Sequence, residues 1–143
     1  MIKLNKKVEY AMIAILHLAR QKADGPVSAR EIAELYNIPT ELLGKVMQKL
    51  VKADFITSAQ GINGGYTLAK PLHEVDLFTL INEIEGPFQI TSCVVHGNDC
   101  NCKQLDACTI KHAVGDIQLE INKFFHKITM DQFVPEKELT TAL

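Results

Sequence analysis

Cys93, Cys100, Cys102 and Cys108 place every thiol of this 143-residue chain inside one sixteen-residue stretch. Cysteines that merely fill a core are scattered through it, so a cluster of this kind points to a metal, an iron–sulfur centre or thiol redox chemistry. Thiolates are the soft ligands that iron–sulfur clusters and zinc select. A closed zinc module typically spaces its cysteine pairs by about two to four residues. Here six residues separate Cys93 from Cys100 and one separates Cys100 from Cys102, so the zinc pattern is not met. Cys100 and Cys102 are too close in sequence for both to face one small cluster comfortably, which leaves one spare. A thiol switch stays open as an alternative and needs an accessible cysteine of low pKa. A thiol-redox enzyme would need an activated nucleophile. The chain has neither Cys-x-x-Cys nor an alternating strand–helix pattern, so it is read as a non-enzyme.

The elements on either side must position this loop. Asn5 is placed to cap a first helix of roughly fifteen residues, with Val8, Ala11, Met12, Ile15, Leu18 and Ala19 on one face. Ala23-Asp24-Gly25-Pro26 ends it. Ser28 and Glu31 form a capping box that opens a short helix through Tyr36. Asn37-Ile38-Pro39 makes a tight turn, and a further helix runs from Thr40 to about Ala53. Two helices so joined are a helix-turn-helix, whose second helix enters the major groove of DNA. Phe55–Ala59 and Tyr66–Leu68 read as strands around Gly61-Ile62-Asn63-Gly64-Gly65, a hairpin in the position of a wing. Asp76 is placed to cap the next helix and Gly86-Pro87 to end it.

Beyond the cysteines, Thr109 is expected to cap the longest helix. Its apolar residues Ile110, Val114, Ile117, Ile121, Phe124 and Ile128 are spaced 4, 3, 4, 3, 4. That rhythm describes a coiled-coil seam, and a homodimer is expected. Packing of the same stripe against its own domain is the alternative. Gly115 within it costs roughly 1 kcal/mol of helix stability, which a close helix–helix approach could offset.

The net charge of −2 hides an asymmetry. Residues 1–70 carry ten Lys and Arg against six Asp and Glu, whereas residues 71–143 carry five against eleven. A basic N-terminal half is a modest electrostatic footprint for nucleic acid. No apolar run approaches the roughly 20 residues that span a bilayer. Ala11–Ala19 superficially resembles a secretory signal, but Glu9 stands at its entrance and His17 interrupts it. No membrane association and a cytoplasmic location are therefore expected, where thiols stay reduced.

Leu4…Tyr10-Ala11, the run Gln60-Gly61-Ile62-Asn63-Gly64-Gly65-Tyr66-Thr67-Leu68-Ala69-Lys70-Pro71, Glu85-Gly86 and Cys102-x5-Cys108 together resemble the Rrf-two family of bacterial regulators, the IscR- and NsrR-like sensors. The resemblance spans about residues 1–134. It implies a mainly α winged helix-turn-helix fold with a small β-hairpin wing and a long C-terminal dimerisation helix. The parts are residues 1–86 as DNA-binding domain, 87–108 as cysteine-rich loop, 109–134 as dimerisation helix and terminal turn, and 135–143 as a flexible tail. It further implies a homodimeric transcriptional regulator, in the repressor role, whose grip on a double-stranded operator follows a 2Fe–2S or 4Fe–4S cluster sensing nitric oxide, redox state or iron. A cluster-free member governed by thiol oxidation or a protein partner is the other outcome.

Under the resemblance, Cys93, Cys102 and Cys108 are the cysteine ligands of the cluster iron, with Cys100 as alternate for Cys102. The first interval departs from the family's usual spacing of about six. The fourth ligand falls on Glu9 of the partner subunit, or on His112, which lies one position beyond the histidine some relatives carry. By position, Thr40, Glu41, Leu42 and Lys45 face base edges and phosphates, with Gln48 and Lys49 further along the same helix. Ser28 opens the preceding helix towards a phosphate. On the wing, Gln60 stands where relatives often have arginine, and Asn63 and Gly64 form the tip. Such a wing can hydrogen-bond in the minor groove without a cation's attraction to it.

Overall fold

The computed structural model describes residues 3–22, 24–93 and 100–135. Among these residues five α-helices and one hairpin follow in the order α1 (Lys6–Arg20), α2 (Ala29–Tyr36), α3 (Thr40–Lys52), β1 (Ile56–Ala59), β2 (Gly65–Leu68), α4 (Leu77–Glu85) and α5 (Lys111–Lys127). Short 3-10 turns occupy Leu72–Glu74, Leu105–Ala107 and Met130–Phe133. Of the expected tail, residues 136–143 lie outside the described residues.

Capping sets the helix starts. The Asn5 side chain accepts the Lys7 amide at 3.0 Å, Ser28 Oγ accepts that of Glu31 at 3.1 Å, and Asp76 Oδ1 accepts that of Thr79 at 2.9 Å. Each satisfies a backbone donor that the first helical turn leaves without a partner. α2 stops at Asn37, which takes the left-handed conformation at φ 53°, and the Ile38 amide then reaches back to the Ala33 carbonyl. That closure buries Ile38 and turns the chain tightly into α3.

The core is made by α1, α2, α3 and α4 around Ile15, Ile32, Leu43, Met47, Leu50, Phe55, Leu80 and Ile84, each almost wholly removed from solvent. The buried face of α1 is Val8, Ala11, Ala14, Ile15, His17 and Leu18. It is rotated from the expected stripe, with Ala14 and His17 inside and Met12 and Ala19 only half-buried. The polar His17, which interrupts the apolar run in sequence, is accommodated because its Nδ1 lies 3.1 Å from the Tyr36 hydroxyl at the end of α2.

In the hairpin Ile56 pairs with Leu68 and Ala59 with Gly65, and Thr57 and Thr67 join across the strands through hydroxyls 2.8 Å apart. The two consecutive glycines are required by contact. A Cβ on Gly64 would stand 2.4 Å from the Ala59 carbonyl oxygen. Gly65, at φ +151°, lies against the Val27 backbone, with which Tyr66 forms a bridge. The wing is thus pinned to the loop before α2.

α5 starts differently from expectation. Its N-cap is Ile110, itself already helical at φ −101° and ψ −7° and with no side-chain cap, rather than Thr109. Its far end is anchored. The Leu77 amide donates to Ile128, the Met130 amide donates to Val75, and Met130 is completely buried. No helix among the described residues is long and apolar enough to cross a membrane.

Candidate functional site

Two surfaces matter, and the chain joins them. On α3, Thr40, Glu41, Lys45 and Gln48 are exposed and Leu42 is half-buried. Glu41, Lys45 and Gln48 fall at helical spacing on one outward face, opposite the buried Leu43, Val46, Met47 and Leu50. Lys45 is paired with Glu41 at 3.2 Å, an exposed contact worth little that an incoming phosphate can replace. Ser28 is exposed at the start of α2, and Gln60 and Asn63 are exposed on the wing, with Gly64 behind them. Lys49 is placed differently from its neighbours. Its ammonium donates to the Ile84 carbonyl at 2.5 Å, capping one of the last carbonyls of α4.

The cysteine loop leaves the C-terminal end of α4 and enters α5. Cys93, Cys100, Cys102 and Cys108 are all free and half-buried. Cys93 Sγ lies 3.3 Å from the Thr91 hydroxyl, and Cys102 Sγ lies 3.5 Å from Gln104 Oε1. Among the described residues, no three His, Cys, Asp or Glu side chains are gathered closely enough to hold a metal ion. Glu9, half-buried in the first turn of α1, accepts from Lys6 at 2.6 Å, and that hydrogen bond and charge hold the Lys6 amine above its ordinary value. His112 is exposed on the first turn of α5.

Three residues outside the sequence-based set organise the loop's approach. Gln118, 3% exposed, uses both ends of its amide on the segment after α4. Its Oε1 accepts the Ile90 amide at 2.8 Å and its Nε2 donates to the Phe88 carbonyl at 3.1 Å. Asn122 takes the second Nε2 hydrogen at 2.8 Å, and Asn82 Oδ1 accepts the Phe88 amide at 2.9 Å. The sequence carried one signal for this arrangement: Gln118 lies seven residues before Phe125, on the stripe that faces the body of the protein rather than on the apolar seam.

The expected seam divides: Val114, Ile121 and Ile128 are half-buried, Ile128 against the core, and the other three face solvent. Ile110, Ile117 and Phe124 are 61%, 52% and 60% exposed, and Asp116, Ile117, Glu120, Ile121 and Phe124 line an open apolar groove. Residues 4–136 match the model of the Rrf2 family, described as an iron-dependent transcriptional regulator. The chain belongs to the Rrf2 family. It is 29% identical over 142 residues to the HTH-type transcriptional regulator NsrR of Oceanobacillus iheyensis, covering 99% of this chain and 96% of that protein. It is 29% identical over 138 residues to IscR of Pectobacterium carotovorum, covering 96% and 82%. Among solved structures it resembles CymR, the global cysteine regulator of B. subtilis, with a TM-score of 0.69 at 20% identity over 93% of this chain and 96% of that one. It also resembles T. potens IscR, with a TM-score of 0.69 at 23% identity over 92% and 85%. As an Rrf2 member the chain is a DNA-binding transcriptional regulator and not an enzyme.

Proposed function

We propose that this Rrf2 regulator works as a homodimer whose hold on an operator is set by the chemical state of the cysteine loop. The observation that carries this reading is topological. The only covalent path from the helix-turn-helix body to the apolar seam of α5 runs through the segment bearing all four thiols. The donor chemistry fits an iron–sulfur group, since every described thiol is free and thiolates are its ligands. Cys93, Cys102 and Cys108 would hold it, Cys100 would stand in for Cys102, and Glu9 from the partner subunit or His112 would complete the set. When bound, such a group supplies a centre that reacts with nitric oxide, oxidants or changes in iron supply.

The chain's own residues do the rest. The exposed stripe of Ile110, Ile117 and Phe124 buries itself against a second copy, because apolar area of this extent is favourably removed from water. Dimerisation sets two α3 helices towards half-sites about one helical turn apart. Thr40, Glu41, Leu42, Lys45 and Gln48 meet base edges and phosphates, Ser28 meets a phosphate, and Gln60, Asn63 and Gly64 follow the minor groove. A change in the loop shifts the spacing of the two reading heads, and the effector acts only through its differential affinity for the two arrangements. Repression is the assigned direction.

Four half-buried free thiols also suit direct oxidation, which keeps a cluster-free thiol switch as the second reading. The test is purification without air followed by absorption spectroscopy, iron and sulfide analysis, and operator titration. A brown protein whose affinity changes on cluster loss supports the first reading. A colourless protein whose affinity follows thiol oxidation supports the second. A wild-type protein whose operator affinity is indifferent to iron, oxidant and nitric oxide overturns both, as does a variant with serine at Cys93, Cys102 and Cys108 that keeps the wild-type response.

A further inference from the structure

Between α4 and the first cysteine runs a short strap, residues 86–90, held from three sides by side chains that neither read DNA nor carry sulfur. Asn82 of α4 binds the amide of Phe88, and Gln118 of α5 binds the carbonyl of Phe88 and the amide of Ile90. The ring of Phe88 packs edge-on against Phe125 of α5, with centroids 5.3 Å apart. Gln118 is buried and its amide is fully used: one acceptor and two donors, each with a partner. The pattern also fixes the amide's orientation, because only a carbonyl can accept from Ile90 and only an NH2 can donate to Phe88. A buried amide so satisfied stands or falls as a unit.

The strap's other end is equally tied. The last turn of α4 is gripped by Lys49 of α3 through the Ile84 carbonyl and by Asn5 of α1 through Glu85, at 3.0 Å. Three residues after Ile90 comes Cys93, with Thr91 against its sulfur. A displacement of Cys93 therefore pulls on a segment hydrogen-bonded at once to the seam helix and, through α4, to the helix that faces DNA.

We propose that Gln118 is a positioning residue that couples the cysteine loop to operator binding by clamping residues 88–90 onto α5. The inference rests on the loop-sensing reading above and adds the residue through which sensing reaches both helices. The hydrogen bonds of Gln118 go to Phe88, Ile90 and Asn122 and to no thiol among the described residues. Gln118→Met keeps the buried volume and removes all three hydrogen bonds.

Two measurements on the full chain test this. Hydrogen exchange reads the clamp itself: in Gln118→Met the Ile90 amide should exchange about tenfold faster or more, as expected for a lost buried hydrogen bond. Operator titration reads the coupling, as the ratio of affinities between apo-protein and protein treated anaerobically with ferrous iron and sulfide, and between reduced and diamide-oxidised protein. The wild-type ratio should collapse to within about twofold of unity in Gln118→Met, while the apo-protein keeps its own operator affinity within about twofold. Gln118→Asn, which retains the amide one methylene short, should fall between the two.

An unchanged ratio with faster Ile90 exchange overturns the proposal, since the clamp would then be merely structural. Unchanged Ile90 exchange overturns it at the first step. A wild-type ratio of one for both treatments removes the sensing reading itself, and the coupling role with it. Ile90 exchange still reports separately on whether the clamp exists.

Discussion

Truncating Phe124 should separate dimerisation from folding. The side chain is 60% exposed on α5, and the ring of its neighbour Phe125 has its centroid 6.0 Å away. An aromatic residue offers roughly 200 Å² for burial, so about 120 Å² of Phe124 remains available to a partner. At about 25 cal/mol per Å² that area is worth about 3 kcal/mol in each chain, and about 6 kcal/mol across a two-fold interface. Association never returns the full value of its buried area. Half of it, about 3 kcal/mol, still weakens the dimer roughly a hundredfold. Phe124→Ala should therefore raise the dimer dissociation constant by about that factor while moving the chain's own unfolding free energy by no more than about 0.5 kcal/mol. Sedimentation velocity over a concentration series reads the first quantity, and chemical denaturation of the dissociated chain reads the second. Leu119→Ala is the internal control. Leu119 is 57% exposed but lies about 200° around the helix from Ile117, so its loss should leave the dimer intact. Equal effects of the two substitutions, or a wild-type chain that stays monomeric at every concentration, would refute the assignment of the seam.

Three more outcomes are expected. Gly64→Ala puts a Cβ 2.4 Å from the Ala59 carbonyl oxygen and should destabilise the fold by about 1–3 kcal/mol, whereas Gly44→Ala, which meets nothing within 4 Å, should stabilise α3 by up to about 1 kcal/mol; denaturant melts of the pair decide both. Lys45→Met should lower the slope of log affinity against log salt by about one, while Lys49→Met should weaken the operator complex with the slope unchanged, because the Lys49 ammonium is committed to the Ile84 carbonyl; equal slopes in both variants would be the contrary result. The Lys6 amine is held above the ordinary value of 10.5 by Glu9, so the pair's contribution is fully present at neutral pH and is lost as pH rises through the raised value. Thermal melts of wild type and Lys6→Met should accordingly run parallel from about pH 6 to about pH 9 and converge only in strong alkali; convergence near neutrality would contradict the pairing.

Much of the architecture was legible because it is written locally. Asn5, Ser28 and Asp76 are polar residues immediately before apolar periodicity, and each caps the helix it precedes. The glycine pair was visible as a turn, although its cause is a close approach to Ala59 and Val27 that no linear pattern records. Thr109 shows the limit: as a hydroxyl before a helix it is an apt cap, yet the N-cap falls one residue later on Ile110, which has no side-chain cap. The same limit governs the site. Cysteine spacing announces a chemistry, but it does not say where Cys93 and Cys108 stand in space.

α5 makes the point most sharply, because it carries two stripes and one of them turns on a polar residue. The seam of Ile110, Ile117 and Phe124 is legible by its rhythm and turns outward. The inward stripe is anchored by Gln118, a polar residue that the apolar rhythm does not mark. Burial of a glutamine requires three partners at fixed positions; one is Asn122 a turn along the same helix, and the other two are backbone groups of Phe88 and Ile90, whose location is known only once the chain has folded. An apolar residue there would pack as well but would hold nothing in register. Gln118 has hydrogen bonds that fit one placement of the strap, so any state of the cysteine loop that moves the strap must break them or carry α5 along.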